Sequence, residues 1–259
     1  LYPDLDVVPT IESYLSETID INPDGEYTER STAVYNAICN RSLRLTAEHL
    51  DRPELLDAVR LNLDASYHLL HADGSVVTSL SNRQDRGQHV IPVSMIDSYY
   101  ALARIDSNGF YASVADWLGT HGRAGAAWSL EPFISHPEWK ADDLVREPLP
   151  DTYTCMMPTS GVWRSRNGKT SATAATGITS PLSVRQGDIE VGLKVCATYF
   201  DRAQFRGDRI ETIDDGIRLT FDGKGERREA PGYWHPVNRP VSMDDYRQVM
   251  QERDYTAYD

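Results

Sequence analysis

Cysteine is scarce in this chain of 259 residues, and long apolar runs are absent. The three cysteines, Cys39, Cys155 and Cys196, lie far apart and lack CxxC spacing, which excludes a zinc knuckle and argues against a disulfide framework. No apolar stretch approaches the ~20 residues that cross a bilayer, so the sequence predicts no transmembrane helix and no membrane partner.

Positively charged residues are also fewer than negatively charged ones. Lys and Arg number 26 against 39 Asp and Glu, which gives a formal net charge of −13. So acidic a chain repels phosphate backbones, and we do not expect nucleic acid as a partner. A content of 40% hydrophobic and 25% charged residues is typical of a folded chain with one large or two ordinary domains.

Several functional signatures are missing. The sequence has no GxSxG, GxxxxGKS/T or GxGxxG motif between a strand and a helix, so hydrolase-elbow, P-loop and Rossmann sites are not predicted. His68 and His71 share i, i+3 spacing, but no third ligand accompanies them. We predict neither a metal site nor a cofactor, and we interpret this pair as histidines favoured by a helix C-terminus.

The hydrophobic period changes near residues 147–151. Before this point apolar residues recur at helical spacing, and after it short alternating segments are separated by Asn-Gly and Asp-Gly turns. The sequence predicts an α+β fold, with a helical, α/α toroid-like domain over residues 1–147 and an antiparallel, β-sandwich-like domain over residues 151–259. Because residue 1 is Leu and the end has no evident stop signal, we expect a fragment in which both domains are incomplete.

Five helices are predicted, and the β part is predicted to hold six strands. The helices fall within residues 7–18, 31–45, 51–70, 91–103 and 110–118. The strands fall at residues 153–157, 161–166, 170–176, 189–199, 209–213 and 216–221, with a further turn at Asp222-Gly223.

The first candidate site is the segment Asp24-Gly25-Glu26-Tyr27-Thr28-Glu29, followed by Tyr35 and Asn36. It lies on a loop that leads into a predicted helix, where side chains point out of a helical array into a cleft. Tyr27, Glu29, Tyr35 and Asn36 are the candidate residues. A solvated loop in which Glu29 serves the helix dipole is the alternative.

The second candidate site is the polar segment from Ser79 to His89. Arg83 and Arg86 can clamp a carboxylate through paired hydrogen bonds, and Gln84, Asp85 and His89 can bind sugar hydroxyls. The alternative is a charged loop in which Asp85 pairs with a neighbouring arginine.

The densest basic patch is Trp163-Arg164-Ser165-Arg166-Asn167-Gly168-Lys169, at a predicted hairpin. In a strand Arg164 and Arg166 share one face and Trp163 takes the other. The patch is predicted to be an exposed sheet edge protected by charge, or else a wall that contacts an anionic sugar.

The segment Asp24 to Glu29, followed by Tyr35, resembles a motif of the heparinase II/III-like polysaccharide lyases, Asp-Gly-x-x-x-Glu-Gly-x-x-Tyr. Arg30 stands at the second Gly, and Tyr35 comes two residues later than in that motif. The segment Ser160 to Gly168 and the later Tyr199-Phe200 and Gln204-Phe205 also resemble strands of that family. The resemblance implies an incomplete α/α toroid followed by an antiparallel β-sandwich.

The resemblance also implies β-elimination on a uronic-acid-containing polysaccharide. Tyr35 is expected to take the C5 proton or to protonate the leaving oxygen, while an Asn, a His or an Arg neutralises the substrate carboxylate. Arg30 and Arg41 are expected to lower the pKa of the Tyr35 phenol. The β-domain histidine that the family pairs with this tyrosine has no clear counterpart, since His235 is a poor positional match. An acidic polysaccharide or oligosaccharide is the expected partner, and the family favours a bacterial periplasmic or secreted location.

Two other functions stay open from the sequence. A glycoside hydrolase on an α/α toroid would use a carboxylate pair, for which Glu29 and Asp85 are the candidates. A non-catalytic carbohydrate-binding relative would keep the cleft and lack a general base.

Overall fold

A computed structural model describes residues 6–122, 127–141, 143–199 and 202–221, and in these ranges helices are followed by antiparallel strands. The predicted α+β class is thereby confirmed. The division into two domains at residues 147–151 stays a prediction. The predicted turn at Asp222-Gly223 and the residue His235 lie outside the described residues.

The helical part packs its helices in neighbouring pairs, α2 on α3 and α4 on α5. The helices of the described residues are α1 (Val8–Leu15), α2 (Tyr35–His49), α3 (Leu55–His68), α4 (Ile96–Asp106), α5 (Gly109–His121) and the short α6 (Glu131–Ser135). Their shared core includes Val59, Leu63, Tyr99, Leu102, Val114 and Leu118. The predicted apolar face of α1 is largely exposed, since no residue of that helix is buried.

The break between α4 and α5 shows how local sequence sets the helix ends. Ser107 takes a left-handed conformation (φ 51°) that ends α4, and the Asn108 side chain accepts a hydrogen bond from the backbone N–H of Tyr111. An Asn at this position caps a helix by satisfying one of its free N–H groups. The predicted break at Asn108-Gly109 therefore separates two helices that pack on each other.

Five strands form one antiparallel sheet in sequential order, β1 to β5. They are β1 (Thr152–Met157), β2 (Val162–Asn167), β3 (Thr170–Ala175), β4 (Leu182–Gln186) and β5 (Ile189–Leu193). Two further hairpins pair β6 (Cys196–Tyr199) with β7 (Arg202–Gln204) and β8 (Arg209–Ile213) with β9 (Gly216–Thr220). Strands β4 and β7 were not predicted, and the single strand predicted over residues 189–199 is divided into β5 and β6.

The two arginines of the basic patch, Arg164 and Arg166 on β2, face inward, contrary to the prediction of an exposed edge or a sugar-contacting wall, and only Lys169 in the following turn is an exposed cation of the patch. Strand β2 lies between β1 and β3, and Arg164 is completely buried. Its guanidinium donates to the backbone oxygens of His68 (3.1 Å) and Leu70 (3.0 Å) and to Thr173 Oγ1 (2.8 Å). The end of α3 supplies carbonyl acceptors that the helix itself leaves unpaired, so the arginine joins the sheet to the helical part.

A polar cluster next to Arg164 completes this junction. His71 is buried just beyond α3, with its Nδ1 2.8 Å from Ser171 Oγ and 3.2 Å from Arg164 Nη2. Burial, and then the charge of Arg164, lower the pKa of His71 to about 3. Asp73 Oδ2 accepts from Arg185 at 2.5 Å in the same cluster. The sequence interpretation of His71 as a partner of His68 at one helix end is therefore wrong, because α3 ends at His68.

The opposite face of the sheet is apolar at its far edge. The register places Leu182 opposite Leu193 and Val184 opposite Val191, on the face that points away from Arg164. Val191 is 64% exposed and Leu193 is 51% exposed. One side of the sheet thus packs on the helical part, and the other presents apolar side chains.

Candidate functional site

Asp85 fixes the polar loop of residues 79–89 on the N-terminus of α2. Its carboxylate accepts hydrogen bonds from Ser31 Oγ (3.0 Å), from the backbone N–H of Ala33 (3.1 Å) and from Ser81 Oγ. Ser31 Oγ also accepts from the Tyr35 N–H at 3.2 Å. These bonds hold the turn before α2, which explains why the helix begins at Tyr35 rather than at Ser31 or Thr32.

Asp85 consequently does not fit its predicted place among the substrate-binding residues. It is 1% exposed, and both of its oxygens are occupied by donors from the protein. Its partners are hydroxyls and a backbone N–H, rather than the neighbouring arginine that the alternative interpretation expected. A buried carboxylate with full hydrogen bonding positions the loop and is unavailable to a ligand.

The anchored loop brings four of the candidate residues together, and we call this group the Tyr35 site: Glu29, Tyr35, Arg83 and Gln84. Arg83 Nη2 lies 3.2 Å from the Tyr35 hydroxyl, and its guanidinium carbon lies 4.8 Å from the centre of the Tyr35 ring. Glu29 Oε1 lies 3.5 Å from Arg83 Nη1, and Gln84 lies near enough to the phenol to affect its pKa.

The Tyr35 phenol is more acidic than an ordinary tyrosine. Hydrogen bonds from Arg83 and Gln84, together with the positive charge of Arg83, lower its pKa. Five other tyrosines in the described part of the chain have a pKa raised chiefly by burial: Tyr27, Tyr67, Tyr99, Tyr111 and Tyr153. Of these six phenols, Tyr35 alone is both accessible and shifted towards the phenolate.

The arginine that lowers the pKa of Tyr35 is Arg83, whereas the sequence analysis expected Arg30 and Arg41 to do so. Arg30 donates to Glu26 Oε1 (2.8 Å) and to the Ser160 carbonyl, and Arg41 donates to Asp97 and to the Ser94 carbonyl. Proximity in sequence suggested Arg30 and Arg41, but the largest contributions to the pKa of Tyr35 come from Arg83 and Gln84.

The other predicted residues lie outside this group or beneath it. Tyr27 is buried and its hydroxyl donates to Asn40 Oδ1 at 2.9 Å, so it lies apart from the Tyr35 site. Asn36 is buried on the inner side of α2, and its Oδ1 has no hydrogen-bond partner among the described residues. Arg86 is exposed on the loop. His89 is also exposed, with Nε2 3.0 Å from Asp73 Oδ2.

Glu29 connects the Tyr35 site to the first candidate segment. Its backbone oxygen accepts from the Asn82 N–H at 3.1 Å, so the loop and the segment run side by side. One carboxylate oxygen faces Arg83, while the other is buried with no hydrogen-bond partner in the described part. The side chain thus contacts Arg83 through one oxygen and holds the other out of solvent.

A cleft of about 340 Å³ lies beside this segment, between residues 20–30 and the turn that follows β1. Its wall includes Asp20, Glu26, Thr28, Arg30, Thr159 and Ser160. Sequence reasoning placed the segment Asp24 to Glu29 on a loop, but it gave no sign that residues 159–160 would close over it. Only the packing of the sheet on the helical part creates the cleft.

Within the described ranges, no three His, Cys, Asp or Glu side chains are arranged to hold a metal ion, and none of the helices has the length and apolar character of a membrane span. Comparisons with protein-family models, with curated proteins and with solved structures find no match to the chain.

Proposed function

We propose that the protein is a polysaccharide lyase-like enzyme that cleaves a uronic-acid-containing polysaccharide by β-elimination, with Tyr35 as its proton-transfer residue. The observation that supports this most is the contact of 3.2 Å between the Arg83 guanidinium and the accessible Tyr35 hydroxyl. A phenol must lose its proton more readily than usual to act as a base near neutral pH, and a hydrogen-bonded cation has that effect.

The reaction moves one proton and breaks one carbon–oxygen bond. The Tyr35 phenolate takes the C5 proton of the uronate, and the electrons of that C–H bond form the new double bond as the glycosidic oxygen leaves. The proton then passes to the leaving oxygen. Arg83 is 42% exposed, so it can attract the substrate carboxylate and stabilise the charge that builds on it as the C5 proton departs.

The test is the ultraviolet absorbance of the unsaturated uronate, measured with a panel of uronate polymers. We expect Tyr35→Phe to lower the rate by roughly 100-fold or more, because general-base catalysis contributes at least this factor. Tyr14→Phe, a change to an exposed tyrosine on α1, is the matched control and should keep the full rate. A Tyr35→Phe enzyme with the wild-type rate would refute the assignment.

The environment of Asp85 weakens the glycoside hydrolase alternative. A carboxylate pair formed by Glu29 and Asp85 needs two groups that reach the substrate, and Asp85 is buried with both oxygens bonded. Saturable oligosaccharide binding without any turnover would instead select the non-catalytic relative.

We further propose that the helical part is toroid-like and that the sheet is one layer of a sandwich. Neighbouring helix pairs favour the first, and the apolar outer face of β4 and β5 favours the second, because an apolar sheet face that does not pack on the helices needs a covering layer. If a second layer covers this face, Val191→Asp should lower the unfolding free energy by roughly 2 kcal/mol or more. A change within about 0.5 kcal/mol would show an uncovered face.

A further inference from the structure

The cleft beside the Tyr35 site has fixed walls. Asn22 Oδ1 accepts from the N–H groups of Asp24 (2.9 Å) and Glu26 (3.0 Å), and Gly25 completes the turn with a φ of 87°. Asp24 Oδ2 accepts from the Ser160 N–H at 2.8 Å, and Asn22 Nδ2 donates to Ser160 Oγ at 2.9 Å. The two segments that form the cleft are thus tied together before any ligand arrives, which limits the entropy lost on binding.

The cleft carries an excess of one negative charge. Arg30 Nε pairs with Glu26 Oε1 at 2.8 Å, and Arg30 also donates to the Ser160 carbonyl at 3.0 Å. This pair leaves the exposed carboxylate of Asp20 uncompensated, with the Thr28 hydroxyl as its hydrogen-bond donor. Since the guanidinium is already occupied, a carboxylate or sulfate entering the cleft meets repulsion from Asp20 and finds no free cation in the lining.

The lining suits a ring that carries hydroxyl groups. Carboxylate oxygens accept from hydroxyls, and the side chains of Thr28, Thr159 and Ser160 both donate and accept. A volume of about 340 Å³ is near the lower end of ligand sites, which span roughly 300–1,000 Å³, so it suits a single ring rather than a long chain.

We propose that this cleft is a binding site for an uncharged sugar ring, distinct from the Tyr35 site in its charge. The two sites are neighbours, because Thr28 lines the cleft and the next residue, Glu29, contacts Arg83. That the ligand is a carbohydrate rests on the proposed function. The preference for an uncharged ring follows from the charges and hydroxyl groups that line the cleft.

Protein-observed NMR titration with paired sugars tests the proposal. The probes are the methyl glycosides of glucose, galactose and mannose, each compared with the uronoside that differs only by a carboxylate at C6. At least one neutral glycoside should shift the amide signals of residues 20–22, 24–30 and 159–161, with an affinity at least tenfold above that of its uronoside. Binding of none of the three, or equal binding of the two members of each pair, overturns the proposal.

Four variants locate the binding site and separate binding from catalysis. Thr159→Trp, at an exposed position on the rim, should abolish the shifts, and Asp20→Lys should reverse the preference in favour of the uronoside. Asp57→Lys, at an exposed carboxylate on α3, is the control for added charge and should behave as wild type. Tyr35→Phe should lose lyase activity while it keeps the glycoside shifts. The activity assay therefore tests the proposed function and the NMR shifts test the cleft, so each proposal can fail on its own.

Discussion

Acid sensitivity of folding is expected to depend on His71. Its Nδ1 lies within reach of Arg164, which can only donate, so Nδ1 is an acceptor and the neutral ring carries its proton on Nε2. Protonation would place a second positive charge beside Arg164 in a buried site that also faces Arg185, and the nearby Asp73 offsets this only in part. The folded protein therefore keeps His71 neutral down to a pH of about 3.

The change in unfolding free energy with pH follows from the difference between the pKa of His71 in the folded and in the unfolded protein. An unfolded histidine titrates near 6.5 and the folded one near 3, so in this window the unfolded state binds more protons and stability falls as the pH falls. At about 1.4 kcal/mol per pH unit, this group alone removes roughly 4 kcal/mol of unfolding free energy by about pH 3.5. No such loss from His71 is expected above its unfolded pKa.

The assay is urea unfolding at a series of pH values. His71→Asn keeps a side-chain acceptor for Arg164 and Ser171 but cannot be protonated, so its unfolding free energy should fall less steeply between pH 6.5 and pH 3.5. His49→Asn, at an exposed position near the end of α2, is the matched control and should follow the wild type. Parallel curves for the wild type and His71→Asn would refute the reasoning.

Three further predictions concern the candidate site and its support. Arg83→Gln removes the cation that lowers the pKa of Tyr35, so the acidic limb of the kcat/KM profile should move to higher pH, while the control Arg86→Gln should leave it in place. Asp85→Ala leaves buried donors unpaired and should cost roughly 3 kcal/mol in urea unfolding, whereas a loss below about 1 kcal/mol would contradict the anchoring role. Gly25→Ala should cost roughly 2–3 kcal/mol by the same measurement, because its Cβ would lie 2.3 Å from the Leu61 carbonyl oxygen at a positive φ; wild-type stability would refute the close approach.

Helices were predictable where an apolar stripe faces a core. The stripe of α3, with Val59 and Leu63, is buried as its spacing indicates. Strand β4 was missed because its five residues offer only Leu182 and Val184 between polar neighbours, which is too short a signal. Its place in the sheet depends on pairing with β3 and β5, which no local pattern encodes.

The candidate site was predictable in its parts but not in its assembly. Tyr35 and Arg83 were each identified from the residue types around them, yet they are 48 positions apart and meet only because Asp85 holds the loop on α2. The environment predicted for Arg164 was wrong, since a charged residue in a polar hairpin normally faces water. The acceptors that bury it belong to the end of another element, α3.

Burial of Arg164 also affects the order in which the protein can fold. Its bonds to the carbonyls of His68 and Leu70 span 96 and 94 positions, so a large loop must close before they form. Contacts of such long range slow folding, and here they cannot appear until the first sheet hairpin exists. A polypeptide cut at residue 150 would leave those carbonyls and the apolar surface around them in water, so the first half is expected to need the second half to reach its native state.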